Sequence, residues 1–158
     1  MKMKNSTGFT LIELMIVVAI MSILMTVGLP SFQSIINDSR LTSTSNAMLS
    51  AYQLARSEAI KQHKNVYVTT ADSWATWQVT VKDATAPFAT FEASKKIVIA
   101  QTGFDFGGYK ANGRPITSTG SDLSGCDEST PCKITLTADT GSRSLEVVMS
   151  GRTKVTNP

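Results

Sequence analysis

A lone carboxylate in an apolar run, two cysteines and a few C-terminal cations are the residues of this 158-residue chain whose types and spacing could do chemistry. Glu13 is the only charge in the 21 residues from Phe9 to Leu29, which are otherwise almost all Leu, Ile, Val, Met, Ala or Phe. An ionised carboxylate in bilayer hydrocarbon costs roughly 2.5–3.5 kcal/mol on insertion scales, so such a residue is normally functional or paired. Cys126 and Cys132 bracket Asp127-Glu128-Ser129-Thr130-Pro131 and would close a small loop. In an exported domain that pair reads as a disulfide shaping the loop. The competing reading, half of a metal site, needs further Cys or His ligands, and the only histidine, His63, is far away in sequence. Arg152 and Lys154 alternate with Thr153, so an extended segment would turn both to one side, where Arg143 or Arg114 would join them. Such a patch would hold phosphates weakly, without sequence preference and in a salt-sensitive way. The alternative is ordinary solvated charge around a final turn.

Signatures of catalysis are missing. The chain has no phosphate-binding glycine loop of either common type, no Gly-x-Ser-x-Gly and no His-Glu-x-x-His. With one histidine at a helix end and no carboxylate pair or lysine singled out, the chain reads as a non-enzyme with no cofactor and no metal.

The elements that must position these residues divide into an anchor and one modest domain. Phe9 to Leu29 is long enough to cross a bilayer as a helix. Gly28 and Pro30 interrupt it, and Pro30 predicts a kink. Beyond it Phe32, Ile35 and Ile36, then Leu41, Met48, Tyr52, Ala55 and Ala59, continue an apolar helical stripe that reads as core. One helix from Phe9 to about Gln62 would extend on the order of 80 Å at 1.5 Å per residue. Lys61, His63 and Lys64 suit the negative end of its dipole. After Asn65 the period changes. Val66 to Thr70, Trp74 to Val81, Ile97 to Ile99, Ile134 to Thr137 and Leu145 to Met149 are short, rich in branched and aromatic residues, and predict antiparallel strands. Asp83 to Pro87, Gly107-Gly108, Asn112-Gly113-Arg114-Pro115, Ser118 to Gly125 and Asp139 to Gly141 supply the turns. The expected fold class is α+β, a long helix packed on an antiparallel sheet.

Met1 to Gly8 is a short polar, basic leader ending in glycine, and the small-residue cut point precedes the apolar run rather than following it. The hydrophobic helix is therefore kept. Lys2 and Lys4 favour a cytoplasmic leader and an exported C-terminal domain. Removing those two from 15 basic side chains leaves 13 against 12 acidic ones, so the processed chain is near neutral although the sequence pI is about 9.0. Global charge thus gives no argument for nucleic acid.

Gly8-Phe9-Thr10-Leu11-Ile12-Glu13-Leu14 resembles the class III signal of type IV pilins and type II secretion pseudopilins. The resemblance implies that a prepilin peptidase cuts between Gly8 and Phe9 and methylates the new Phe9 amine. It also implies that Glu13 meets an N-terminal ammonium, its own or a neighbouring subunit's, during filament assembly. Leu54-Ala55-Arg56-Ser57-Glu58-Ala59-Ile60, Phe104-x-Phe106-Gly107 with Asn112-Gly113-Arg114-Pro115, and Ser150-Gly151-Arg152-Thr153-Lys154 are similar to the GspH/FimT family of minor pilins and pseudopilins, nearer to its pilus members FimT and FimU. Residues 1–8 are then a leader, 9–30 a transmembrane and filament-core helix, and 31–158 the head with the rest of the helix. The implied setting is the bacterial inner membrane, with a periplasmic head, and the pilus surface, with other pilins as partners. FimT-like proteins of transformable bacteria carry a Gly-Arg-x-Arg motif tied to double-stranded DNA binding. Gly151 and Arg152 match it, while Lys154 replaces the second arginine and gives up its planar fork. The alternative is a type II secretion pseudopilin.

Overall fold

The computed structural model describes residues 8–71, 75–94, 96–101 and 105–157. Trp74, Phe104 and residues 1–7 with Lys2 and Lys4 lie outside these residues, as does the side chain of Pro30; its backbone is helical, so the expected interruption at Gly28 and Pro30 does not end the helix. Among the described residues, helix α1 (Leu11–Gln62) is followed by nine strands, β1 (Val66–Ala71), β2 (Thr76–Val81), β3 (Ala89–Glu92), β4 (Val98–Gln101), β5 (Gly108–Tyr109), β6 (Pro115–Ile116), β7 (Cys132–Ala138), β8 (Gly141–Val147) and β9 (Thr153–Thr156). The chain separates into two compact units at Ile36/Asn37.

In the first unit the helix begins at Leu11, two residues later than expected, because Thr10 and Glu13 cap it there. Its apolar side chains are exposed, among them Leu14, Ile16, Ile20 and Leu24. It is long and apolar enough to cross a membrane.

The second unit holds the core. Of the expected stripe, Leu41, Met48, Tyr52, Ala55 and Ala59 are all buried, whereas Phe32 and Ile35 belong to the first unit and are exposed, so the core face begins later than the apolar spacing suggests. The helix ends because His63 adopts a positive φ of 52° and the Lys64 amide donates to the Ala59 carbonyl at 3.3 Å, a left-handed C-cap. The strands form two antiparallel sheets where the sequence suggests one: β3-β2-β1-β5-β6 and β4-β7-β8-β9. Alternation sets which side faces inward. Trp77 and Val79 of β2 are fully buried between half-buried Thr76, Gln78 and Thr80, Ile134 and Leu136 of β7 alternate with more exposed neighbours in the second sheet, and Leu145 and Val147 of β8 are fully buried beside them. Helix and both sheets share this core. Phe106 joins them, stacked on Tyr52 at 4.6 Å and edge-on to Tyr109 at 5.4 Å. Burial, then the nearby Tyr109, pushes the Tyr52 hydroxyl well above the ordinary tyrosine range, so it is a neutral core group.

Ala51, Ala55 and Ala59 are wholly buried, so the helix lies close to its neighbours along that line. Replacing Ala55 with Leu should overpack the site and cost about 1–3 kcal/mol, read by urea unfolding of the detergent-solubilised chain. A variant as stable as the parent would show slack between helix and sheets.

Candidate functional site

At the N-terminal end, Gly8, Phe9 and Thr10 precede the helix without regular structure, and Phe9 is 81% exposed. The Thr10 hydroxyl accepts the Glu13 amide at 3.3 Å, while the Glu13 carboxylate accepts the Thr10 amide and hydroxyl at 3.4 Å each. This is a capping box, and it gives the lone acid a partner in its own turn. Thr10 is a functional neighbour absent from the residues singled out by sequence, although Thr-x-x-Glu ahead of an apolar run is its signature.

In the head, three segments far apart in sequence converge on Arg56. Its Nε donates to the Gly113 carbonyl at 3.2 Å and its Nη2 to the Ser150 carbonyl at 3.0 Å. The turns bring their backbones together because Gly151 lacks a side chain, and both turns use a glycine in the left-handed region. Gly151 has φ +81°, and a Cβ there would run into the Gly113 carbonyl oxygen and meet Arg56 Nε at 2.9 Å. Gly113 has φ +77°, and a Cβ there would meet Ile60 Cδ1 at 2.9 Å. The stretches around Arg56, Gly113 and Gly151 that carry the family likeness in sequence thus form one structural knot. Beside it Gln53, Arg56, Ser57 and Ile60 of the helix face Gly151 and Arg152 across a groove of about 410 Å³.

The cations expected to form a patch are largely neutralised. Arg152 pairs with Glu128. Lys154 and Lys133 flank Glu146 at 3.0 and 3.1 Å, and Thr156 donates to the same carboxylate at 3.1 Å. Burial pushes the Glu146 carboxyl up, but hydrogen bonds from Lys154, Lys133 and Thr156 outweigh it and hold it below the ordinary glutamate range. Arg143 does not join Arg152 and Lys154. It shares the parity of buried Leu145 and Val147 on β8, opposite to Glu146, and points to Asp38 of the helix at 3.8 Å. Arg114 sits in the Gly113 turn, exposed, with its charge acting on Asp122, the partner of Lys110 at 2.8 Å.

Cys126 and Cys132 are joined in a disulfide. Within the loop the Asp127 carboxylate accepts the amides and hydroxyls of Ser129 and Thr130 at 2.7–2.9 Å, which holds it far below the usual carboxylate range. The Met149 amide donates to the Cys126 carbonyl at 2.7 Å, tying the loop beside the β8–β9 turn and presenting Glu128 to Arg152. No group of three His, Cys, Asp or Glu suited to a metal occurs among the described residues.

An exposed apolar helix with a capped, glycine-preceded start and a head of antiparallel sheets packed on the same helix is the type IV pilin-like architecture. A prokaryotic N-terminal methylation motif matches residues 3–29, and the family described as Type II transport protein GspH matches residues 44–152. The chain belongs to the GspH family of type IV pilins and pseudopilins. No curated protein and no solved structure matches it.

Gly125 has the same φ of +81° as Gly151, but a Cβ added there would meet nothing within 4 Å, so the pair separates conformational from steric cost. Gly125→Ala should lose about 1–2 kcal/mol for the left-handed backbone alone. Gly151→Ala should lose more and broaden the Arg56 side-chain resonances; equal losses in denaturant unfolding would dissolve the knot as a constraint. The carboxyl of Glu146 is depressed in the folded state, so its contribution is complete above the unfolded glutamate range and fades as pH falls through the folded value. Glu146→Gln should accordingly flatten the acid limb of the head's stability-against-pH curve; an unchanged limb would remove Glu146 as its origin.

Proposed function

We propose that the chain is a minor subunit of a type IV pilus, made as a prepilin, cut between Gly8 and Phe9, methylated on Phe9 and assembled through its apolar helix from the inner membrane with its head in the periplasm. The observation that carries this reading is the methylation motif, which runs into the exposed apolar part of the helix and is followed along the chain by a GspH-family head. Glu13 serves assembly by meeting the ammonium that cleavage creates on Phe9, in the same subunit or the next, because a carboxylate moved into hydrocarbon needs a cation. The prepilin peptidase and other major and minor pilins are its partners.

The matched description, Type II transport protein GspH, favours a second reading as a pseudopilin of a type II secretion system. Deleting the protein separates the two: loss of piliation and twitching marks the pilus, and loss of exoprotein release marks secretion. A DNA-receptor role for the head would rest on Gly151, Arg152 and Lys154, with Arg114 nearby. Phosphates would have to displace Glu128 and Glu146 from the cations they already neutralise; the exposed Arg152–Glu128 pair exchanges at a cost of about 0.2–1 kcal/mol, while the buried Glu146 would be left without its Lys154 partner at greater cost. Binding on this reading is weak and confined to low salt.

Mass spectrometry of the membrane-extracted protein should find Phe9 methylated at the N-terminus and the apolar helix retained. Glu13→Ala should insert normally yet enter filaments poorly; Met1 still attached in the parent, or normal incorporation of the variant, would overturn the processing or the pairing respectively.

A further inference from the structure

Arg56 holds its charge in an unusual setting. Three described cations are half-buried, Arg56, Lys110 and Arg143, and the last two face Asp122 and Asp38. Among the described residues Arg56 has no carboxylate at ion-pair distance. Its two hydrogen bonds go to carbonyl oxygens, which use two of five N–H donors and leave the unit charge uncancelled. A partly desolvated charge of this kind is costly until an opposite charge arrives. The guanidinium opens into the groove of about 410 Å³ beside the Gly151 turn, with Gln53 and Ser57 on the same helix face and Ile60, 45% exposed, at its edge.

We propose that this groove is a contact site for an acidic side chain of a second pilin-like subunit, with the carboxylate paired to Arg56 and an adjoining apolar group laid on Ile60. The inference rests on the assembly reading above and adds to it a named surface on the head. Charge and shape select the occupant. A guanidinium offers a planar fork that suits a single carboxylate, and the exposed isoleucine beside it suits a polypeptide. Duplex DNA presents a row of phosphates, and these would meet Glu128 on Arg152 at one wall and Glu146 on the adjoining strand. One carboxylate entering at Arg56 avoids both.

Gln53 gives the test, because it lines the groove three residues before Arg56 on the helix surface. Gln53→Glu sets a carboxylate at the i, i+3 position, where it pairs with Arg56 and occupies the site from within. Gln53→Leu changes the same side chain without charge. The full chain is expressed in its own host, with leader cleavage, thermal unfolding and recovery in sheared filaments measured together. Gln53→Glu should be cleaved, anchored and as stable as the parent, yet recovered in filaments roughly tenfold less, the scale of a truncated charge pair at an interface, while Gln53→Leu stays within about twofold. In detergent micelles the Arg56 Nε–H resonance of the parent should shift saturably with sodium acetate, and that of Gln53→Glu should not. Equal filament recovery for Gln53→Glu, or an Arg56 resonance indifferent to acetate, overturns the proposal. So does a 30-base-pair duplex that Gln53→Glu releases while filament recovery is unchanged, since nucleic acid is then the occupant. Failure of leader cleavage in the parent would instead remove the assembly reading itself.

Discussion

The head depends on the Arg56 guanidinium reaching two backbone carbonyls that lie 57 and 94 residues away in sequence. Gly113 belongs to the turn between β5 and β6 in one sheet, and Ser150 to the turn between β8 and β9 in the other. A single side chain of the helix therefore anchors one hairpin from each sheet. Arginine suits the role because its planar donors address two acceptors at fixed angles, which a lysine ammonium does not. Glycine at 113 and 151 is the other half of the constraint. A side chain at 151 would strike the Gly113 carbonyl of the opposing turn, and a side chain at either place would have to sit in the left-handed region.

The N-terminal unit solves a different problem, since its apolar side chains have no core to enter. A helix in hydrocarbon must satisfy every backbone polar group internally, and polar side chains within it must do likewise. Ser22 donates to the Val18 carbonyl and Thr26 to the Ser22 carbonyl, each at 2.8 Å, so neither hydroxyl needs water. Glu13 is the exception in charge, and the cap with Thr10 occupies only its Oε2.

How legible each feature is in the sequence follows from how local its cause is. The helical stripe through Met48, Tyr52 and Ala55 and the alternating strands around Trp77, Ile134 and Leu145 are written as periodicity, and they lie where that periodicity puts them. Strands β5 and β6 are hidden because Gly108 and Pro115 signal turns, and two-residue strands exist only through pairing with β1 and with each other. β3, with Ala89 and Glu92, borrows its strand character from Trp77 and Phe91, which stack across the ladder. β9 is legible in the sequence only as the alternation of Arg152 and Lys154 with Thr153, and Lys154 becomes a strand residue through its place opposite Glu146. Arg56 is visible in the sequence as part of a run, but its meaning lies in two distant carbonyls. Charge alone assigns Arg143 to a patch, and strand parity sends it to the other face.

The cap at Thr10 bears on the processing proposed above. While the chain is uncut, Thr10 holds one carboxylate oxygen of Glu13 in the first turn and fixes its direction toward the residues preceding the helix. Cleavage after Gly8 would place the new ammonium on Phe9, next to the amide that already donates to that carboxylate. The acid would then be oriented before its cation exists, so pairing would not require ordering a free side chain, a saving of up to about 1.5–2 kcal/mol for glutamate. Pre-orientation of this kind favours whichever ammonium arrives first with good geometry. It also explains how one carboxylate can lie inside an apolar helix without unwinding it: the backbone amides of the first turn need acceptors, and Glu13 meets that need on its own chain.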